Sequence, residues 1–309
     1  MSSNKMSSVP VFVLVASVSL LGGSPAKAAP VTKITSCPFP ITAAGSYLVV
    51  RDLSCPATFG IQISNTSDVD LNVGGHTIMG SSASSGNGIE VFGATNVHII
   101  NGTVTGFTGM SGLLLGPGSS GTRVEAMTLT GNGQGLIINN SSGNTISSSD
   151  ISANLFDGIL TNFADDNNFQ GNRVVGNSGV GYDLFLSSSN NVISSSKISS
   201  SVIAGNQAEG VLISENSDNN TVRSSQVLNN SLNGVDVYPG VTGTRVLSNT
   251  VNGNGSGIVL RSGATGNTVK SNTAKNNTDF DMEDDNGPTY DTNVWLHNNF
   301  NTANEPCIH

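Results

Sequence analysis

Gly135-Leu136-Ile137-Ile138, Asn144-Thr145-Ile146 and Asp150-Ile151 make up one period of a repeat, and that period decides the fold. Each run places apolar side chains at alternate positions, the pattern of short strands with one buried face. The opening phrase, glycine then apolar, any residue, apolar, recurs from Gly88, Gly112, Gly158, Gly181, Gly210, Gly234 and Gly257. A degenerate last copy reads Asp279-Phe280-Asp281-Met282. Subtracting successive first positions gives steps of 24, 23, 23, 23, 29, 24, 23 and 22 residues. A fixed period in the low twenties with β-type alternation describes a coil of stacked turns.

Second runs recur as Thr122-Arg123-Val124, Asn167-Asn168-Phe169, Asn220-Thr221-Val222 and Asn267-Thr268-Val269, and third runs as Arg173-Val174-Val175 and Gln226-Val227-Leu228. Three strands per turn, each paired with its equivalent in the next turn, predict an all-β, single-stranded parallel β-helix of about nine to ten turns, capped at both ends. Asn132, Asn154, Asn177, Asn206, Asn230, Asn254 and Asn277 recur at the turn before each glycine. Stacked amides can bond one another and the backbone, so these are expected to be structural ladders. The long step from Gly181 to Gly210 holds the Ser-rich stretch 194–201 and Val202-Ile203-Ala204, expected as a loop or bulge beside Asp183.

Composition agrees. Of 309 residues only 11% are charged and 5% aromatic, and 37 are glycine, which suits tight turns better than helices. The net charge of −9 argues against nucleic acid and anionic membranes as partners. Residues 1–28 read as a signal peptide: Lys5, an apolar run from Val9 to Leu21, then Ala26-Lys27-Ala28. The expectation is a secreted or periplasmic monomer with no membrane contact once the signal is cleaved. In an oxidising compartment Cys37 and Cys55 are expected to form a disulfide, leaving Cys307 over. Residues 29–85 read as an N-terminal cap with irregular first turns, 86–283 as the repeats, and 284–309 as a C-terminal cap.

The Gly-Ile-x-Val…Asn-Thr-Val…Asn rhythm over 86–283, the entry Asp70-Leu71-Asn72-Val73-Gly74-Gly75-His76-Thr77-Ile78 and the ending Asn293-Val294-Trp295…Asn298-Asn299-Phe300 resemble one family. It is the right-handed parallel β-helix repeat proteins of the pectate-lyase-like superfamily, NosD-type or carbohydrate-binding and sugar-hydrolase group. The resemblance implies right-handedness and points to the outer face of the first strand as the place of polysaccharide contact. The fold hosts lyases, hydrolases, epimerases and adhesins, so it does not fix an activity.

Alternation puts Glu90, Leu114, Ile137, Leu160, Asp183, Leu212, Asp236, Val259 and Asp281 in one outward column of that face, with Phe185, Ser214, Tyr238 and Arg261 in the next. Asp183 and Asp236 stand two turns, roughly 9.6 Å, apart by strand spacing. That is close to the separation of about 6.5–9.5 Å in an inverting glycosidase pair. They are the candidate catalytic residues of a polysaccharide hydrolase or lyase. Phe185, Ser214, Tyr238 and Arg261 are the candidate substrate contacts, with the aromatics stacking on sugar rings and Arg261 reading a sugar carboxylate. Asp279, Asp281 and Glu283, expected on one strand face, are the candidate ligands of a calcium ion, the one cofactor the sequence suggests. The competing reading of all these residues is a solvated face on a structural or surface-interaction protein. Scattered His76, His98, His297 and His309 support neither a triad nor a copper site.

Overall fold

The phased runs stack in register. The structure is a computed structural model that describes residues 30–56, 58–81, 86–199, 208–287, 292–306 and 308. The signal-peptide segment, Asn206, Val202-Ile203-Ala204 and Cys307 therefore lie outside the described residues. The chain divides into Met1–Pro30 and Val31–His309, and the coil lies within the second.

Eleven first strands, from Phe39–Ile41 to Met282–Asp284, form one parallel sheet and make about ten turns. The second and third strands form a second sheet of twenty. They join because Thr95–Thr105 and Arg123–Thr130 each run unbroken around a corner, turning at single residues with positive φ, Asn101 and Ala126. The separate second and third runs expected there are one bent strand in these two turns. Pairing begins at Thr32, where Thr32–Ile34 lies beside Gly45–Val49, so stacked strands already occupy much of 31–80. Cys37 and Cys55 are joined by a disulfide across the first turn.

Val, Ile and Leu columns fill the interior, and most of their side chains are wholly buried. Burial of each such residue stabilises the coil by about 1.5–3 kcal/mol relative to exposure. Tyr182 takes an aliphatic position in this column, between Ile159 and Val211. It packs edge-to-face on Phe169 with ring centres 5.4 Å apart, and its hydroxyl donates to Ser196 Oγ at 3.2 Å. Burial pushes that hydroxyl up to about 12.

The Asn residues form ladders at the corners. Asn254 Nδ2 donates to Asn277 Oδ1 at 3.1 Å and to Val227 O at 3.1 Å, while Asn254 Oδ1 accepts from the Asn230 backbone at 2.9 Å. A second ladder climbs through Asn144, Asn167 and Asn191. A third, through Asn249, Asn272 and Asn298, sits between the second and third strands, a position the sequence reading did not single out. The ladders satisfy corner amides that would otherwise be buried without partners.

The last turn corrects two register assignments. Ile258 pairs with Met282 and Val259 with Glu283, so the final step is 24 residues and Asp281 stands where the repeat has glycine. Glu283, not Asp281, therefore ends the first outward column. Asp281 turns into the ladder, where its carboxylate accepts from the backbone N–H of Asn301 and from both the amide and the N–H of Asn277. Asp284 likewise accepts the Trp295 indole N–H at 2.8 Å. Trp295 stacks on Val269, and with Ile308 it covers the end of the core.

Candidate functional site

The first outward column is continuous. Glu90, Leu114, Ile137, Leu160, Asp183, Leu212, Asp236 and Val259 pair turn by turn, bringing Asp183 and Asp236 onto the same row with Leu212 between them. Phe185, Ser214, Tyr238 and Arg261 follow one another beside them, linked by the N–H groups of Ser214, Tyr238 and Arg261 to the preceding turns. The two candidate carboxylates are in different states.

Asp236 is fully buried and saturated. Arg261 grips it with two bonds, Nε to Oδ1 at 3.0 Å and Nη2 to Oδ2 at 2.8 Å, and Asn233 Nδ2 donates to Oδ2 at 2.6 Å. Arg261 Nη1 also faces Asp285 at 3.7 Å. Bidentate charge-assisted bonds of this kind fix both side chains in place. Arg261 is thereby already occupied by carboxylates of its own chain.

Asp183 is the opposite case. Its Oδ1 is buried with no hydrogen-bond partner among the described residues. Burial, followed by the neighbouring charges of Asp157 and Glu209, pushes its carboxyl up to about 7. Low-dielectric surroundings and like charges both disfavour the carboxylate, so Asp183 keeps its proton to a higher pH than an ordinary aspartate.

Asp157 and Glu209 are the residues that sequence reasoning missed. Each directly precedes a repeat glycine, Gly158 and Gly210, in the row that also holds Asn87 and Asn233. Residues there reach back over the first strand: Asn87 bonds Glu90 at 3.0 Å as Asn233 bonds Asp236. That repeated offset of three residues is the signal that could have found them. Burial raises Asp157 despite the Val180 N–H donated to Oδ1 at 2.8 Å. Burial also raises Glu209, with the charges of Asp236 and Asp157 adding to it and Arg261 opposing. Gly179 makes room for this arrangement, because a Cβ there would stand 2.2 Å from Asp157 Oδ1.

Apolar groups surround the acids. Leu114, Ile137 and Leu160 form a half-buried row leading to Asp183. Phe156 and Phe163, before and after the first strand of one turn, are 55% and 50% exposed. Phe185 is half-buried and Tyr238 exposed, but Ser214 is buried, so its hydroxyl does not lie open on the face. A depression of about 520 Å³ lies toward the C-terminal end, lined by Asn233, Ser256, Arg261, Asp279 and Glu283 among others.

The three candidate calcium ligands are not brought to one face. Asp279 is exposed, Asp281 is turned into the ladder, and Glu283 accepts the Ser256 hydroxyl at 2.8 Å. The two-residue shift accounts for this, since it moves Asp281 off the strand to the corner position that holds glycine in other turns, where its carboxylate meets the ladder. Among the described residues no three His, Cys, Asp or Glu side chains are grouped to hold a metal ion. The extra length before Gly210 falls mostly after Ser199, because Val175, Ser199 and Leu228 remain in register.

Residues 59–205 match the family model described as right handed beta helix region, and residues 194–306 match the one described as periplasmic copper-binding protein (NosD). No curated protein sequence matches the chain. Among solved structures, the A-module of the mannuronan C-5 epimerase AlgE6 from Azotobacter vinelandii is similar with a TM-score of 0.69 and 17% identity, covering 89% of this chain and 85% of that one. The Dettilon tailspike protein is similar with a TM-score of 0.67 and 17% identity over 89% of this chain, which spans 60% of the tailspike. Pectate lyase Pel9A is similar with a TM-score of 0.52 and 20% identity, over 86% of this chain and 69% of that one. At these identities the likeness is one of fold. Two sheets of parallel strands, the corner ladders and these matches together make the described chain a parallel β-helix, similar in fold to the epimerase module, the tailspike and the pectate lyase, with residues 59–205 matching the right-handed β-helix model.

Proposed function

We propose that the protein works outside the cytoplasm and engages an uncharged polysaccharide along the outer face of its first-strand sheet, cleaving it by hydrolysis at Asp183. The observation that carries the reading is Asp183 itself, a half-buried carboxyl raised to about 7 on the first-strand sheet, with the exposed rings of Phe156 and Phe163 flanking the first strand of the preceding turn. A carboxyl that keeps its proton near neutrality suits general acid work. Asp183 gives its proton to the glycosidic oxygen as the C–O bond breaks. A neighbouring acid, Asp157 or Glu209, in its carboxylate form takes a proton from the attacking water as the water oxygen bonds the sugar carbon. Phe156, Phe163 and Tyr238 supply stacking surfaces for sugar rings. The acidic surroundings and the occupied guanidinium of Arg261 favour an uncharged glycan over a uronate. The Cys37–Cys55 disulfide supports an oxidising compartment.

One observation favours a second reading, binding without cleavage: Asp236, placed to act with Asp183, is tied by three short bonds and is not free to move a proton. A panel of neutral and acidic polysaccharides, scored for both binding and new reducing ends, separates the two. Cleavage of a neutral glycan that falls at least about a hundredfold in Asp183→Asn supports the proposal. Cleavage unchanged by that substitution contradicts it, and binding with no product selects the second reading.

A further inference from the structure

The opposite side of the coil has the reverse charge. From Asn168 to Leu296 the second and third strands contain no Asp or Glu, yet they carry Arg173, Lys197, Arg223, Arg245, Lys270 and Lys275. The five first strands of the same turns carry Asp183, Asp236, Glu283 and Asp284 and no cation. A chain with a net charge of −9 thus concentrates its cations on one surface.

The cations follow one corner of the coil. Pairing places Arg173 beside Lys197, Ser194 beside Arg223, Thr221 beside Arg245, and Leu247 beside Lys270, so each of five consecutive turns contributes at least one. Arg173 and Lys197 flank a single corner on its third-strand side and Arg223 and Lys270 on its second-strand side, while Arg245 and Lys275 stand two residues farther along their strands. The corner itself is built from Gly171, Ser195, Ser224, Ser248 and Ser271, all exposed and all at positive φ. These small residues leave the corner unobstructed. Arg173 is bonded bidentately to Asp150, but the other five cations make no ion pair among the described residues. Arg223, Arg245, Lys197 and Lys270 are exposed. At about 4.8 Å per turn the strip runs roughly 20 Å along the coil axis.

We propose that this corner strip is a second binding site, one that takes a linear acidic polysaccharide laid parallel to the coil axis. Every turn supplies a cation on one flank of the corner or the other, at a rise of about 4.8 Å, close to the length of one sugar ring, so an acidic chain laid along the corner meets a positive charge at each turn. The large aromatics of these strands, Phe169 and Trp295, are buried, which removes the stacking platforms a single-stranded nucleic acid needs. The strip is confined to one corner and its flanks and has no apolar wedge, which suits a polymer chain better than a lipid surface.

The test uses the purified protein with polygalacturonate as probe. Binding should be clear at low salt, and log Kd should rise with log salt in proportion to the charges engaged. Arg223→Ser/Arg245→Ser/Lys270→Ser should weaken binding by at least about tenfold and flatten that dependence by about half. Arg223→Lys/Arg245→Lys should retain it, because the site reads point charges. Absence of binding at low salt, salt-independent binding, or full binding by the triple serine variant overturns the proposal. So does tighter binding of single-stranded DNA or of phosphatidylserine vesicles than of polygalacturonate.

Discussion

Two faces of one coil carry opposite charge by different physical means. On the first-strand face, acids sit in a partly dry row where Asp236 is neutralised by Arg261 and Asp183 by its own proton. On the corner strip, five of the six cations make no ion pair among the described residues, and Lys197, Arg223, Arg245 and Lys270 are exposed to water. The same repeat builds both, since outward positions vary widely while the inward columns stay mainly apolar and the corner ladders mainly amide. A β-helix can therefore change its surface turn by turn at little cost to its core, and the comparison separates residues whose charge is tied into the structure from those whose charge is free for a ligand.

The largest expected effect is on the buried side of that contrast. Asp236→Ala leaves Arg261 without its principal partner and the Asn233 amide unbonded. It should cost about 3 kcal/mol, seen as a lower urea midpoint at unchanged m-value. Gly179→Ala comes next: its Cβ must displace the Asp157 carboxylate and nearby backbone, at about 1–3 kcal/mol by the same assay. It should also lower the pKa of Asp183, because Asp157 is one of the charges that raise it.

Asp183→Asn sharpens the comparison through pH. The carboxyl is raised in the folded state from 3.8 to about 7, so the native protein holds the proton more tightly than the unfolded chain. Stability contributed by that group is full below about pH 4 and is lost as pH rises through about 7. The wild type should therefore lose up to a few kcal/mol between those limits that Asp183→Asn does not lose, measured as the difference in their melting profiles against pH. The smallest effect belongs to the strip. Arg223→Ser removes a solvated charge and should change stability by less than about 0.5 kcal/mol, while changing polyanion binding. A large destabilisation there would mean that the two faces are not different in kind.

The architecture was legible because period and alternation are properties of the whole chain: Gly135-Leu136-Ile137-Ile138 stacks between its neighbours as its spacing implies. The row joining Asp183 to Asp236 was legible for the same reason. The last turn was not, because Asp281 replaces the glycine that marks phase elsewhere, and counting from Asp279 shifted the register by two. Asp157 and Glu209 escaped because they precede the strand, where alternation says nothing about direction. The difference between a saturated Asp236 and an unpartnered Asp183 depends on which side chains Arg261 and Asn233 reach, and no spacing rule encodes that.

The most direct test of the account is a carboxyl-detected NMR titration of the protein, with Asp183→Asn to assign the resonance. The account predicts a carboxyl that titrates near pH 7, is missing in Asp183→Asn, and shifts when a bound neutral glycan fills the first-strand face. If every aspartate resonance has titrated by pH 5, Asp183 is an ordinary solvated carboxylate, and the acid role proposed for this face is wrong.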